Sequence, residues 1–342
     1  LSVVGASSNG AGGNEYYDGI QNITAGSRDD TLVGNNQVNV LAGGAGNDTL
    51  YGMGGNDVLV GGDNDDLIVG GAGSDQINGE TGVDTVSYVS VQGSGVVIDL
   101  ANALLGSGRG TGDAAGDTFT SVEKLEGSSY ADYIYAGNVA DLSGAPVVDG
   151  FIFDGGGSTG TLSVNGRVFA GNTVDYSSSV SAGVSIDLAT GTGSGSWAAN
   201  TSYRNIRNLV GSGAADTLGG DSQANLIIGG GGGDLIHGSL NASGADTLEG
   251  GAGINTLSYK DFEAANRIVV DMSQVNADGY FSVQIQGGQT DLALSFANFE
   301  GTKGADSITG DIANNRLAGY AGNDILAGGA GDDTLDGGSG DD

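Results

Sequence analysis

The sequence is poor in several residue types, and each shortage excludes a class of protein. Its 342 residues include no cysteine, one proline, one histidine, one tryptophan and only 10 lysines and arginines. Without cysteine the chain has neither a disulfide framework nor a thiolate metal site. Ten basic residues leave no positive footprint for nucleic acid, and one proline excludes a collagen triple helix. The apolar runs stay well below the ~18 residues that cross a membrane.

Glycine and aspartate are present in excess. There are 69 glycines and 42 acidic residues, 35 of them aspartate, and the net charge is −32. So much glycine, with aspartate preferred to glutamate, argues against a helical protein. A net charge of this size destabilises a compact state unless counter-ions lie inside the structure.

The sequence repeats with a period of nine residues. The unit is G-G-x-G-x-D-x-apolar-x, as in Gly43–Tyr51, and it recurs seven times without a change of register. The frame returns weakly in the middle of the chain and clearly in two later stretches, the first of which contains a three-residue insertion before Asp246. A fixed register of this length predicts a repeat architecture. The sixth position of the unit is occupied by Asp30, Asn39, Asp48, Asp57, Asp66, Asp75, Asp84, Asp132, Asp141, Asp216, Asn225, Asp234, Asp246, Asn255, Asp306, Asn315, Asp324, Asp333 and Asp342.

Longer segments with alternating apolar residues separate the nonapeptide blocks. This alternation predicts strands, and Asn165-Gly166 predicts a two-residue hairpin turn inside the weak block. The tyrosines that close the blocks, and that we expect to cap the rolls, are Tyr88, Tyr176 and Tyr259. The predicted segments are a lead-in at 1–24, a first roll at 25–87, a β excursion at 88–126, a weak block with an inserted hairpin at 127–175, an excursion at 176–210, a roll at 211–258, an excursion at 259–300 and a roll at 301–342.

The repeat unit itself predicts a coil and a metal requirement. A glycine-rich hexapeptide followed by x-apolar-x gives a tight turn and then a three-residue strand with its central side chain inward. Two units complete a coil of 18 residues with two facing parallel sheets, and Leu50, Leu59, Ile68 and Ile77 stack as a core one side chain thick. Such a thin core does not offset the entropy of ordering its coils, and the stacked aspartates repel one another. A divalent cation between coils would cancel this repulsion, and an all-oxygen site suits Ca²⁺.

The unit resembles the calcium-binding nonapeptide of the repeats-in-toxin (RTX) family, of the S-layer or adhesin type. The resemblance is close over Ala25–Ser87, Gly211–Ser258 and Gly301–Asp342 and loose over Gly127–Gly144. It implies an all-β fold: blocks of parallel β-roll, an RTX solenoid, interrupted by β-strand and hairpin excursions.

The resemblance also implies ligand sets. In the family each ion is held by positions two, four and six of one repeat and by positions one, three and six of the repeat eighteen residues later. The implied sets in the first block are Gly44, Gly46 and Asp48 with Gly61, Asp63 and Asp66; Met53, Gly55 and Asp57 with Gly70, Ala72 and Asp75; and Gly62, Asn64 and Asp66 with Gly79, Thr81 and Asp84. The implied sets in the later blocks are Ser212, Ala214 and Asp216 with Gly229, Gly231 and Asp234, and Thr302, Gly304 and Asp306 with Gly319, Ala321 and Asp324. Further expected ligands are Asp30, Asp132, Asp246, Asp333 and Asp342.

If each pair of position-six residues eighteen residues apart holds one ion, the chain binds about eleven Ca²⁺: five in the first block, up to three in the third and three in the fourth. Repeats with asparagine at position six lack a charge and are expected to bind more weakly. The insertion before Asp246 leaves its loop in doubt.

Other motifs carry less weight. His237 follows Ile236 in an outward position and is expected at the surface. Gly156–Gly160 formally matches the nucleophile elbow G-x-S-x-G, but the strand–turn–helix setting of that motif is not predicted. Asp99, Asp187 and Asp271 recur at equivalent places and are either turn-capping residues or extra calcium ligands.

The resemblance implies a structural, non-enzymatic module of a bacterial S-layer protein or large adhesin. Proteins of this family leave the cell by type I secretion and fold outside it on calcium, so an extracellular or cell-surface location follows. The alternative is the calcium-binding tail of a secreted protease, lipase, epimerase or cytolysin. A third reading, an adhesin that binds a surface polysaccharide, stays open. Because the last repeat stops at position six, its unpaired strand edge is expected to favour self-association.

Overall fold

The computed structural model describes residues 2–6, 12–16, 21–100, 111–136, 151–195, 197–239, 244–263, 265–287 and 289–342; for 2–6 and 12–16 it describes the backbone only. The predicted position-six residue Asp141 lies outside the described residues. These residues form short strands and, at Gly112–Ala114, a single turn of 3₁₀ helix. The prediction of an all-β, parallel roll is confirmed.

The strands are numbered in chain order. They are β1 (Ser2–Ala6), β2 (Gly12–Tyr16), β3 (Asn22–Thr24), β4 (Asp30–Asn35), β5 (Val40–Ala45), β6 (Thr49–Gly54), β7 (Val58–Asp63), β8 (Leu67–Ala72), β9 (Gln76–Thr81), β10 (Thr85–Ser87), β11 (Val97–Asp99), β12 (Thr118–Thr120), β13 (Lys124–Glu126), β14 (Tyr133–Tyr135), β15 (Ile152–Asp154), β16 (Thr161–Val164), β17 (Arg167–Ala170), β18 (Thr173–Asp175), β19 (Val184–Asp187), β20 (Thr192–Gly195), β21 (Ser202–Arg204), β22 (Asn208–Val210), β23 (Thr217–Gly219), β24 (Leu226–Ile228), β25 (Leu235–His237), β26 (Thr247–Glu249), β27 (Thr256–Ser258), β28 (Ile268–Val275), β29 (Phe281–Ile285), β30 (Thr290–Leu294), β31 (Asn298–Glu300), β32 (Ser307–Thr309), β33 (Arg316–Ala318), β34 (Ile325–Ala327) and β35 (Thr334–Asp336).

The chain divides into two units, one of residues 1–175 and 197–206 and one of residues 176–196 and 207–342. In the first unit, β4, β6, β8, β10, β13, β15 and β21 pair in parallel in that order. A facing sheet runs β3, β5, β7, β9 and β12, and a third set pairs β11 with β14 and β14 with β18. Strand β1 pairs antiparallel with β2 and β4.

The pairing register of the first block is eighteen residues. Leu50 lies opposite Leu32 on one side and Ile68 on the other, and all three side chains are fully buried. The nine-residue period therefore places every second repeat in the same sheet and the central apolar residue of each repeat in one narrow core, as expected from the sequence.

The strands of the first block are longer than the sequence predicted. Strands β4 to β9 have six residues, because their pairing continues through the glycines of positions one and two, as in Gly44 opposite Gly62. Gly62 has φ 127°, and a Cβ there would overlap the Gly44 carbonyl oxygen. Glycine thus permits the close approach of successive coils that extends the sheet.

The predicted hairpin is present between β16 and β17, which pair antiparallel. Asn165 and Gly166 form its turn with φ values of 52° and 81°. Two positive φ values are the signature of the type I′ turn that the Asn-Gly pair favours.

In the second unit one parallel sheet runs β19, β23, β25, β27, β31, β33 and β35, with β20 antiparallel on β19. The other sheet runs β22, β24, β26, β30, β29, β28, β32 and β34. The three antiparallel strands β28–β30 lie between two parallel pairs, so the segment predicted as the third excursion continues the sheet of the roll.

Candidate calcium sites

The carboxylate at position six is held by the coil before it. The Asp48 backbone N–H donates to Oδ1 of Asp66 at 2.7 Å, and the Asp66 N–H donates in turn to Oδ1 of Asp84 at 2.9 Å. We call this series of bonds the aspartate ladder. Its other eighteen-residue steps run from the N–H of Asp30, Asn39, Asp57, Asp216, Asp306, Asn315 and Asp324 to Oδ1 of Asp48, Asp57, Asp75, Asp234, Asp324, Asp333 and Asp342.

The second carboxylate oxygen of the ladder is buried and has no hydrogen-bond donor at seven of the described positions. Burying an unpaired carboxylate oxygen costs more than a neutral polar atom would. A cation supplied from outside the polypeptide would satisfy these oxygens and neutralise their charge. The seven atoms are Oδ2 of Asp48, Asp57, Asp66, Asp75, Asp84, Asp234 and Asp324.

A backbone carbonyl of the next coil shares the space around most of these oxygens. At Gly43 an added Cβ would overlap Oδ2 of Asp48 and would lie 2.7 Å from the carbonyl oxygen of Gly61. The same convergence occurs at Gly61, where Oδ2 of Asp66 meets the carbonyl of Gly79. The structure thus brings together the carboxylate at position six and the carbonyl at position one of the implied ligand sets. Further glycines with this surrounding are Gly52, Gly211, Gly229, Gly301 and Gly319.

The carbonyls at position three of the implied sets already accept one backbone hydrogen bond each. Gly46 donates to the Asp63 carbonyl at 3.1 Å, and Asn64 donates to the Thr81 carbonyl at 2.7 Å. The Ala72 carbonyl accepts from Gly55 at 2.9 Å. A carbonyl oxygen has two lone pairs, so one remains for a cation.

The donor set consists of oxygen atoms alone, which suits Ca²⁺. Within the described residues no group of three His, Cys, Asp or Glu side chains is arranged to hold a metal. The ladder instead combines single carboxylates with carbonyls, and these oxygens fit a cation that takes six to eight oxygen ligands at about 2.3–2.6 Å.

Burial makes the ladder carboxylates weak acids. It raises the pKa of Asp48, Asp66 and Asp75 to about 6 and that of Asp84 to about 7, with repulsion from neighbouring carboxylates adding to the shift. Burial likewise raises the pKa of Asp234 to about 6. Protons and calcium therefore compete for the same oxygens.

Calcium-driven folding is expected to need more calcium only as the pH approaches the pKa of an unfolded aspartate, near 4. The pKa values of Asp48, Asp66 and Asp84 are about 6 to 7 in the folded chain without calcium, so this state becomes less stable relative to the unfolded chain as pH rises from 4 to 7. The unfolded chain and the calcium-bound chain, in contrast, both carry few protons on these carboxylates above pH 5.5. The calcium concentration at half-folding, measured by circular dichroism at constant ionic strength, should therefore stay nearly constant from pH 7.5 to pH 5.5 and rise as the pH falls toward 4. A steep rise between pH 7.5 and pH 5.5 would contradict this linkage.

The first ladder carboxylates of the later blocks have additional protein donors. Ser212 donates its backbone N–H to Oδ2 of Asp216 at 2.6 Å and its hydroxyl to Oδ1 at 2.8 Å. Thr302 makes the equivalent bonds to Asp306, and Ser128 makes them to Asp132. A serine or threonine after the glycine that restarts the frame therefore orients the first carboxylate of these blocks.

The ladder continues across the three-residue insertion, with a step of twenty-one residues in place of eighteen. The Asn225 N–H donates to Oδ1 of Asp246 at 2.9 Å, twenty-one residues later. Ser239, at the start of the insertion, donates its hydroxyl to Oδ2 of Asp246 at 2.6 Å. Asp246 thus lies in the ladder, and its second oxygen meets a hydroxyl.

The remaining expected ligands differ in exposure. Asp30 is buried and accepts from the Gly26 N–H at 3.2 Å through Oδ2. Asp333 is half-buried and Asp342 is exposed, and each accepts one ladder bond.

A second ladder at position five was missed by sequence reasoning. The Asn47 N–H donates to Oδ1 of Asp29 at 2.8 Å, and the Asp65 N–H donates to Oδ1 of Asn47 at 3.2 Å. The Val83 N–H continues it to Oδ1 of Asp65 at 2.8 Å. Here the side chain accepts from the following coil, so positions five and six tie each coil in both directions. The repeated Asn or Asp directly before the ladder residue, as in Asn47-Asp48, was the available signal.

Neither His237 nor the segment Gly156–Gly160, the other motifs noted in the sequence, is part of a catalytic arrangement among the described residues. His237 lies on β25, partly buried, with Nδ1 3.4 Å from Oδ2 of Asp261. Gly156–Gly160 lies between strands β15 and β16, so the strand–helix setting of a nucleophile elbow is absent there. Within the described residues no helix has the length and apolar character needed to cross a membrane.

The comparison with known families agrees with this geometry. The family described as RTX calcium-binding nonapeptide repeat (4 copies) matches residues 15–50, 24–59, 51–86, 210–242, 240–258, 298–326 and 309–342. These residues make up just under half of the chain and coincide with the first, third and fourth blocks, while the weak block at 127–175 lies outside them. No curated protein matches the chain.

Proposed function

Because this chain carries the calcium-binding nonapeptide repeats of the RTX family, we propose that it is a calcium-binding structural module of a secreted or cell-surface protein. The observation that carries the proposal is the row of buried Oδ2 atoms without donors, most of which lie beside a carbonyl of the next coil. An ion at such a point links two coils and removes the repulsion between their carboxylates. Calcium binding is then part of folding.

The proposed place of folding is outside the cell, after type I secretion. Calcium modules that work outside cells have dissociation constants of about 10⁻⁴–10⁻³ M. A chain of net charge −32 that needs calcium to fold would stay unfolded where calcium is scarce and fold where it is millimolar. We propose an S-layer protein or a large adhesin because repeated blocks separated by strand segments suit a repetitive scaffold. We propose that about eleven ions bind between position-six residues eighteen residues apart, five of them at the implied sets.

Calcium-dependent self-association is the expected result that separates a scaffold from a passive tail. The core side chain Leu335 on the last coil is 46% exposed, whereas Leu317, which lies opposite it one coil earlier, is fully buried. A second copy that continues the sheet would cover Leu335. Sedimentation velocity at millimolar Ca²⁺ should show dimers or larger species that chelation disperses, with Mg²⁺ at equal ionic strength as the control. A folded chain that stays a compact monomer at high protein concentration would contradict the scaffold and favour the tail of a secreted enzyme or toxin.

A further inference from the structure

In two ladder carboxylates a tyrosine hydroxyl donates to the second oxygen. We call a ladder position closed when a protein hydrogen or an ion lies against the group that has no donor elsewhere. Asp117 accepts the Asp75 N–H through Oδ1 at 2.9 Å, as a ladder residue does, but its Oδ2 accepts the hydroxyl of Tyr88 at 2.7 Å. Asp291 repeats the arrangement. Its Oδ1 accepts the Asp246 N–H at 2.9 Å and its Oδ2 accepts the hydroxyl of Tyr259 at 2.8 Å. The oxygen that lacks a donor in Asp48 or Asp66 therefore has one here.

Both pairs are inaccessible to solvent. Tyr88 and Tyr259 are 2% and 1% exposed, and Asp117 and Asp291 are 5% and 0% exposed. A phenol that donates to a buried carboxylate makes a charge-assisted hydrogen bond, which is stronger than one between neutral groups. Burial and the neighbouring carboxylate raise the pKa of both tyrosines well above the ordinary value, so the proton stays in place.

The chain before these aspartates does not form the glycine-rich turn that supplies carbonyl ligands elsewhere. The 3₁₀ turn Gly112–Ala114 precedes Asp117. Asp291 lies on β30, just after the hairpin connection from β29, and pairs there with Val283. Neither aspartate therefore follows the nonapeptide turn that carries positions two and four of the implied sites.

Asn172 closes a third ladder position with its amide. Its Oδ1 accepts the Asp132 N–H at 2.9 Å, and its Nδ2 donates to the carbonyls of Gly155, Gly157 and Asn205 at 2.8, 2.7 and 2.9 Å. The side chain is fully buried. The amide nitrogen thus lies among three carbonyl oxygens, in the place that a cation would take at a calcium site.

We propose that the ladder has two kinds of closure: calcium closes the roll positions whose Oδ2 has no protein donor, and protein hydrogens close Asp117, Asn172 and Asp291. The three closed positions lie where a roll meets an inserted segment, that is, where the nonapeptide turn is lost. The coils there are joined without an ion, which keeps the register across each insertion. The proposal rests on calcium binding by the rolls.

The number of bound ions tests the assignment directly. Asp117→Asn and Asp291→Asn keep the Oδ1 acceptor and remove the carboxylate charge, and Asp66→Asn is the matched change inside a roll. Bound Ca²⁺ per chain is measured by equilibrium dialysis and elemental analysis, with circular dichroism to confirm folding. We expect Asp117→Asn and Asp291→Asn to bind as many ions as the parent chain and Asp66→Asn to bind fewer. Loss of an ion in a folded Asp117→Asn or Asp291→Asn chain would overturn the proposal, whereas a parent chain without bound calcium would overturn the proposed function instead.

Removal of the hydroxyls is a second test that does not depend on those variants folding. Tyr88→Phe and Tyr259→Phe leave a buried carboxylate oxygen without a donor, so the Tm in saturating calcium should fall by at least ~3 °C. Tyr51→Phe, on the outward side of β6, is the control and should leave the Tm unchanged. An unchanged Tm in both Tyr88→Phe and Tyr259→Phe would overturn the closure by tyrosine.

Asn172→Asp tests the amide position by a gain of calcium binding, whereas Asp66→Asn tests the roll by a loss. It places a carboxylate among the three carbonyls in place of the N–H donor, and we expect this chain to bind one more calcium ion than the parent. An unchanged ion count, or a variant that does not fold in calcium, would overturn the assignment of Asn172.

Discussion

Addition of EDTA is expected to abolish most of the β-sheet signal of this chain, and millimolar Ca²⁺ to restore it. Each nonapeptide buries one apolar side chain, such as Leu50 or Leu59, in a core one residue thick. Five nonapeptides of the first block, among them those of Asp48 and Asp57, also bury a carboxylate oxygen without a donor. Without the ion the thin core must hold these carboxylates together against their mutual repulsion. Far-UV circular dichroism during titration from EDTA into Ca²⁺ measures the transition.

The control for this transition is Mg²⁺ at the same ionic strength. General screening of the −32 charge would let either ion fold the chain. A site of carboxylates and carbonyls favours Ca²⁺, because Mg²⁺ demands near-octahedral geometry and gives up its water reluctantly. A chain equally folded in chelator and in calcium would contradict calcium-dependent folding, and equal refolding by Mg²⁺ would show that screening is sufficient.

The periodic part of the fold was predictable from sequence because one frame determines it. A constant nine-residue step sets which residues share a sheet, which point inward and which carboxylates stack. Leu50 opposite Ile68 and Asp48 bonded to Asp66 both follow from a spacing of eighteen. Glycine at fixed offsets likewise predicted the tight turns.

The inserted segments were not predictable to the same extent, because their partners lie outside the frame. Alternation predicted strands near β28, but it could not tell that β28 pairs with β32 and β30 with β26. The tyrosine at the end of the first roll was expected to cap it. That its hydroxyl meets Asp117, twenty-nine residues later, depends on the path of the chain between them. The ladder at position five, by contrast, is indicated by the repeated Asn or Asp directly before the position-six residues, as in Asn47-Asp48.

Asp66→Ala is expected to remove two calcium ions and to break the first roll in its middle. Oδ1 of Asp66 accepts the Asp48 N–H, its own N–H donates to Asp84, and its Oδ2 is one of the buried atoms without a donor. The implied ligand sets use Asp66 twice, once with Asp48 and once with Asp84. Alanine removes a carboxylate from both sites and leaves the Asp48 N–H without its acceptor, so loss of order should spread to both neighbouring coils. Calorimetric titration gives the number of ions, and circular dichroism gives the lost strand signal.

Asp342→Ala is the matched control, because Asp342 takes part in a single ladder step. It accepts only from the Asp324 N–H among the ladder donors, at 2.9 Å, and its side chain is exposed. Its loss should remove at most one ion and little strand signal, since solvent can replace an exposed carboxylate but not a buried one. Equal losses of ions in Asp66→Ala and Asp342→Ala would mean that carboxylates eighteen residues apart do not share ions. Calcium would then bind each turn separately, and the ladder bonds alone would join the coils.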